Sequence, residues 1–334
     1  MSDLKQNPRY SCVILSKADA YNCDGILLRL ELSWRKNQLA QCAKIKLMNI
    51  RQKDKYLNML LSVRDRVFIY ADDGAKREEV FRGFIWTISY SSKKEKELTL
   101  TCYDNLIYFQ DSEDNRYFPS GRDSKTICQM ICDSWGIALD YSYNSITHEK
   151  LKLSGALSDI FLTQILESVK KKTGEHFVMR SQKDMIIITS VGQNETVYLI
   201  KSKINALNES SETTMDGMIT KVVILGKADD DGQSEVEAVV EGDTALYGTL
   251  QKIQNKNENT SLDGAKKEAE ETIKEKGKPS RTFEVEAIDI PWIVLGDKIK
   301  CEAGDALGEF IVTGISHSIS DTTKTMRLSL EGLP

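Results

Sequence analysis

The sequence predicts a mainly β protein: two small β-barrel domains flanking a mixed α/β domain. Three observations carry that reading. Two-residue alternation fills the first third, helical periodicity is concentrated in the middle, and alternation returns strongly at the end. The 334 residues suffice for two or three domains. The expected boundaries are 1–112 for the N-terminal barrel, 113–203 for the α/β insert and 204–334 for the C-terminal barrel, with a helix at about 261–276 inserted in the last.

In the first third, Leu28, Leu30 and Leu32 alternate with Arg29, Glu31 and Ser33, the pattern of a half-buried strand. Val67 to Tyr70 is a second strand, ended by the turn signal Asp72-Asp73-Gly74. Phe84, Trp86, Ile88 and Tyr90 alternate with Ile85, Thr87 and Ser89. Ser91 to Lys96 reads as a polar hairpin loop, and Leu98, Leu100 and Cys102 alternate beyond it. Short strands, polar turns and no strong helix point to a small barrel or sandwich.

Gln110 to Arg122 is polar and carries Pro119 and Gly121, which marks a boundary. A helix follows, with Ser124 as its expected cap, Ile127, Met130, Ile131 and Trp135 in one stripe and Gly136 as its end. A second helix has Ser158 as expected N-cap. Ile160, Phe161, Ile165, Leu166 and Val169 form its apolar face, Lys170 to Lys172 its last turn and Gly174 its C′ residue. Phe177 to Met179 and Met185 to Ile188 read as a hairpin, and Val197 to Leu199 as a further strand.

Asn208 to Thr214 is polar and reads as a linker or exposed loop. Strands return at Ile219 to Gly226 and at Val236 to Val240. Between them, Asp229-Asp230-Asp231-Gly232 lacks the spaced ligands of a calcium loop and reads as a solvated turn. Leu262, Ala265, Ala269 and Ile273 line a narrow stripe on a helix from Ser261 to Lys276, stopped by Gly277 and Pro279. Alternation around Phe283, Phe310 and Leu328 completes the second expected barrel, built from 215–255 and 280–334.

Composition excludes several classes. Forty-five basic and 50 acidic residues leave a net charge of -5, against the basic excess of a nucleic-acid binder. Residues 1–115 carry a net +3 and the remainder -8, an asymmetry too small to name a partner. No apolar run reaches the length of a transmembrane helix, and the first residues lack the apolar core of a secretion signal. Seven scattered cysteines without a Cys-x-x-Cys pair read as reduced, mostly buried thiols of a protein made in the cytosol. Cys128 and Cys132 share a helix face, but without a nearby His they make a poor zinc site.

The search for chemistry yields no expected catalytic, cofactor-binding or metal-ligating residue. The three histidines, His148, His176 and His317, are far apart, and no phosphate-binding loop or nucleophile elbow occurs. His317 sits in a strand-like context and reads as structural. Acidic residues lie mostly in polar turns, which gives a general acid no raised pKa. Tyr103, Tyr108, Phe109, Tyr117 and Phe118 cluster near the first boundary and read as packing residues.

Three stretches carry a resemblance over nearly the whole chain. They are Leu98 to Tyr108, with its Tyr103-Asp104 pair; the central helix with Thr173-Gly174-Glu175-His176-Phe177; and the series Leu246 to Gln251, Leu295 to Ile299, Gly308 to Val312, His317 to Ile319 and Thr325 to Leu330. In this order they resemble the baseplate hub proteins of contractile phage tails and tailocins, of the XkdQ/YqbQ type, related more distantly to late control protein D. The resemblance implies tail-tube-like barrels and a structural, non-enzymatic hub. Three copies would form a ring that adapts a six-fold tube to a three-fold spike. The implied partners are two further copies, the tail tube or tube-initiator protein, the central spike, and beyond them the tape-measure protein and baseplate wedge. The implied place is the tail baseplate of a virion or tailocin made in a bacterial cytoplasm, with no nucleic acid or membrane bound. The competing expectations are a cell-wall carbohydrate-binding module centred on 113–203 and, behind it, a peptidoglycan hydrolase.

Overall fold

Strand periodicity decides most of this architecture, because each alternating segment has one face that must leave water. The computed structural model describes residues 8–17, 19–35, 38–52, 54–91, 97–228, 233–256 and 261–333. The described chain forms two compact units, one of 1–210 with 283–334 and the other of 211–282.

In the first unit, Leu30, Leu32, Ile45, Leu47, Leu98 and Leu100 are buried from three adjacent strands, Leu27–Arg35, Gln38–Met48 and Glu97–Tyr103. Arg66–Asp72 forms the expected strand, with alternating burial, and ends at a turn where Asp72 and Asp73 accept backbone N–H groups from Gly74 and from Ala75 and Lys76 respectively. Arg77–Ser91 departs from the expected alternation. A bulge between Ile85 and Thr87 switches its faces, so Ile85 is buried while Trp86 and Tyr90 are 40% and 47% exposed. The hairpin loop beyond Ser91, the acidic turn Asp229 to Gly232 and the first seven residues lie outside the described residues.

The expectation of closed barrels is not met. Among the described residues the main sheet has thirteen strands, and its path runs from Ala206–Thr214 through Ser280–Ile288, Lys324–Gly332, Ala306–Ser320, Leu27–Arg35, Gln38–Met48, Glu97–Tyr103, Arg77–Ser91, Arg66–Asp72 and Arg9–Ser16 to Asp19–Asn22. A barrel needs its first and last strands to pair. Here Leu27–Arg35 takes Gln38–Met48 on one edge and residues 315–320 of the long C-terminal strand on the other. The terminal β segments therefore continue into each other as one open sheet. Two apolar cores remain, and the seam strands exchange residues between them: Trp34 packs in the C-terminal core and Ile319 in the N-terminal one.

The middle segment packs on a third core. Its first helix is Ser124–Ser134, capped by Asp123, not by the expected Ser124: the Asp123 carboxylate accepts the Thr126 N–H at 3.0 Å. Ser124 is instead buried, with its Oγ 2.7 Å from His148 Nε2. The second helix starts at Leu157, so Ser158 is inside it, and the Leu157 N–H goes to the Ser112 carbonyl. Ile160–Leu166 widens into a π-type stretch that buries Ile160, Phe161, Ile165 and Leu166. Gly174 ends the helix with φ 75, a left-handed turn open to glycine without strain. The hairpin Phe177–Gln182 and Met185–Ser190 forms as expected, with Ala138–Tyr141 added in parallel. Asn208 to Thr214, expected as linker, belongs to the strand Ala206–Thr214.

The second unit holds a three-stranded sheet of its own, with Lys221–Ala228 between Ser234–Glu241 and Gln251–Asn255. Its helix, Leu262–Lys276, is capped by Ser261 and buries Ala265 and Ala269 against Val222 and Ile224. The strands of 221–255 thus belong to a different sheet from those of 283–334, against the expectation of one shared barrel.

Candidate functional site

Three polar junctions of the first unit, the first buried and the others half-buried, bring together residues far apart in sequence. At the first, Asp289 follows Ser280–Ile288 and is 2% exposed. Its Oδ1 lies 2.6 Å from His317 Nδ1, and its Oδ2 accepts the Tyr10 hydroxyl hydrogen bond. Burial, then the Asp289 carboxylate, push the Tyr10 phenol well above its ordinary value, which keeps it a neutral donor.

The second junction joins the turn after Arg66–Asp72 to the loop 289–297. Asp73 accepts the Trp292 indole N–H at 3.1 Å, and Lys76 Nζ stands 4.1 Å from the centre of the Trp292 ring. The Lys76 backbone N–H, above all, holds the Asp73 carboxyl below its usual range. Nearby, Arg180 donates to the Leu295 carbonyl at 3.0 Å, and burial pulls its pKa down. Burial raises Asp297, whose carboxylate accepts the Val294 N–H. Trp34, Lys76, Arg180, Trp292, Asp297 and His317 line a cavity of about 240 Å³.

The third junction is the tip of the hairpin 177–190. Lys183 and Asp184 both take positive φ there, and the Asp184 carboxylate lies against Arg66–Asp72 and Arg77–Ser91. That carboxylate meets Arg66 at 2.6 Å and Arg82 at 3.3 Å, and the Asp184 carbonyl accepts from Asn105 Nδ2 at 2.7 Å. Arg82 also binds Glu79, and both arginines lie over the Phe68 ring. Beside this tip, Asp104 caps the turn into Leu106–Gln110, accepting the Gln41 and Leu106 N–H groups at 3.1 and 3.0 Å. Burial nonetheless pushes its carboxyl up to about 7.

Most of these groups pair with one another, so the junctions tie segments together; the buried Arg66 Nε and Asn105 Oδ1 of the third junction and Trp34 Nε1 beside the second have no hydrogen-bond partner among the described residues. The residues singled out in the sequence fall in different places. His317 is in the first junction and Asp104 beside the third, whereas His148 is buried against Ser124 and His176 is partly buried before Phe177–Gln182. Phe109 and Phe118 are core residues, Tyr103 and Tyr108 stack edge-on with Trp86, and Tyr117 is 61% exposed. Cys128 and Cys132 are buried in the middle core. Among the described residues, no group of three His, Cys, Asp or Glu side chains is arranged to hold a metal ion. Sequence reasoning missed Tyr10, Asp184, Asp289 and Trp292. Only Asp289 leaves a trace, as a lone carboxylate between Ile288 and Ile290.

The same unit presents apolar surface. Val63, Phe84, Trp86 and Tyr108 line an open depression of about 440 Å³. A wider groove of about 510 Å³ is lined by Leu39, Leu162, Phe177, Met179, Leu295 and Ile311 among others.

The chain is 22% identical over 261 residues to the phage-like element PBSX protein XkdQ of Bacillus subtilis, covering 76% of this chain and 78% of that protein. Among solved structures, the 43 kDa tail protein of prophage MuSo2 from Shewanella oneidensis superposes with a TM-score of 0.69 at 15% identity, over 96% of this chain and 98% of that one. A tail protein of Neisseria meningitidis MC58 gives 0.67 at 15% identity, over 96% of both chains. These likenesses show a shared fold along nearly the whole chain. Residues 32–331 match the YQBQ-like family model, and the chain belongs to the YQBQ-like family.

Proposed function

We propose that this protein is a structural, non-catalytic component of a phage-type tail, a baseplate hub whose three copies form a ring between a six-fold tube and a three-fold spike. The observation that carries the reading is the pairing of Leu27–Arg35 with Ala306–Ser320. It sets an N-terminal and a C-terminal β segment side by side in one subunit, so three subunits offer six β segments to the tube. The two segments have separate apolar cores, as two modules require. In this reading 1–112 and 204–334 are the two tube-like modules, 113–203 is the α/β insert, and the 211–282 unit is carried within the last. The sheet stays open, and copies arranged with closed symmetry cover edges that invite further pairing.

Full-length likeness to tail proteins supports this assignment, as does a TM-score of 0.60 with a chain of the Francisella PdpA–VgrG complex, over 98% of this chain at 9% identity. The proposed partners are the tube or tube-initiator protein and the spike, with the tape-measure protein and baseplate wedge beyond them. The proposed location is the tail particle, a virion or a tailocin.

The test is native mass measurement and crosslinking of the protein together with its neighbouring tail proteins. A three-copy species is expected. Persistence as a monomer in their presence overturns the hub reading.

A further inference from the structure

We infer that Cys12 and Cys23 form a cross-strand disulfide that locks the last ribbon of the main sheet once the protein meets an oxidising medium. Cys12 lies in Arg9–Ser16, and the ladder to Asp19–Asn22 pairs Val13 with Asn22. The next step of that register sets Cys12 against Cys23, and the Cys23 N–H donates to the Cys12 carbonyl at 2.8 Å. Directly opposed residues of an antiparallel pair put their side chains on the same face. The Cys12 N–H turns to Asp24 Oδ1 at 3.0 Å, so one backbone bond joins the two residues. Opposed residues of an antiparallel pair have Cα separations of about 4.5–5.5 Å, inside the range a disulfide spans. Both side chains are fully buried in the same core, so they share one apolar space. The Cys23 thiol is the largest cause that raises the Cys12 thiol, an interaction that needs the two sulfurs close together.

Position makes the pair a lock. Asp19–Asn22 is the terminal strand on the sheet's path, with a single partner strand. Such a ribbon opens more readily than the strands inside the sheet. While closed, it keeps Cys12 protonated and inert; when it opens, a small oxidant reaches the sulfurs. A low-molecular-weight disulfide supplies the oxidation. The first thiolate attacks it, forming a mixed disulfide and releasing one small thiol. The second thiolate then displaces the other small thiol. The two cysteine protons and two electrons leave with those thiols, and one Sγ–Sγ bond forms.

The experiment incubates the full chain with oxidised glutathione at pH 8, in mild urea below the unfolding transition. Free thiols are then alkylated and the peptides mapped by mass spectrometry. The expected product has two fewer alkylatable thiols than the seven of the sequence, with a peptide linking Cys12 to Cys23. Its amides in 19–23 should exchange about tenfold more slowly than in the reduced protein, since the cross-link restricts the open ribbon. All seven thiols remaining alkylatable overturns the inference, as does a link from either residue to Cys102, the nearby thiol that also acts on Cys12. Cys23→Ala should instead retain a mixed disulfide on Cys12. The wild-type mapping decides the question even where that variant folds poorly.

Discussion

His317 Nδ1 lies 2.6 Å from Asp289 Oδ1, with 4% of the histidine side chain exposed and none of the aspartate's. The other oxygen of that carboxylate takes the Tyr10 hydroxyl, 279 residues away in sequence. One buried acceptor thus ties the first described strand to the last strands of the main sheet. The acceptor is needed because two donors at this seam have no water to turn to.

Removing that acceptor should be costly. Asp289→Ala leaves two buried polar partners unsatisfied, and each such group costs about 1–3 kcal/mol. Tyr10→Phe strips one donor from the buried Asp289 carboxylate and leaves the His317 bond in place, so it should cost about 1–3 kcal/mol, less than Asp289→Ala. Urea unfolding of the two variants against wild type measures both. Equal midpoints for all three proteins would show that the junction contributes nothing to stability.

Asp104 makes stability fall with rising pH in an unusual window. Burial raises its folded pKa from 3.8 to about 7, so between those values the folded protein holds a proton that the unfolded chain has released. The folded state is then favoured less as pH rises: the contribution is full below about 4 and is lost as pH passes through about 7. Across that window the loss amounts to ~4 kcal/mol at most. The urea midpoint of Asp104→Asn should decline less steeply over this range than that of wild type. Parallel pH profiles for the two proteins would remove Asp104 as the source.

Gly83 has no room for a methyl group. It is buried where Arg77–Ser91 crosses Glu97–Tyr103, and an added Cβ would collide with the Tyr103 backbone carbonyl and come within 2.7 Å of the Phe81 ring. A ring can turn, but a ladder carbonyl cannot retreat without losing its strand. Gly83→Ala should therefore destabilise by about 3 kcal/mol or more, which a thermal melt would register as a clear drop in Tm. An unchanged Tm would mean that the strand crossing relaxes freely.

Local chemistry was legible wherever it is set by neighbours along the chain. Alternation located Glu97–Tyr103, an apolar run before a turn signal located Arg66–Asp72, and the lysine-rich last turn with Gly174 located the end of the central helix. The first cap was expected one residue late, at Ser124 instead of Asp123, and the second two residues late, at Ser158 instead of Ala156, which makes no side-chain cap: tertiary packing decides where each helix starts. The bulge at Ile85 and Thr87 was hidden, since one inserted residue reverses the faces of everything beyond it.

By itself, then, the sequence determined that the chain is β-rich at both ends and α/β between, and where most strands and helices lie. Periodicity, capping and turn chemistry act over a few residues. Tertiary structure alone decided that the terminal β segments join through Leu27–Arg35 and Ala306–Ser320 into one open sheet, and that Tyr10, Asp289 and His317 meet at their seam. Which edge a strand offers to which partner depends on the competition among all available backbone groups. That competition is settled only when the whole chain has folded.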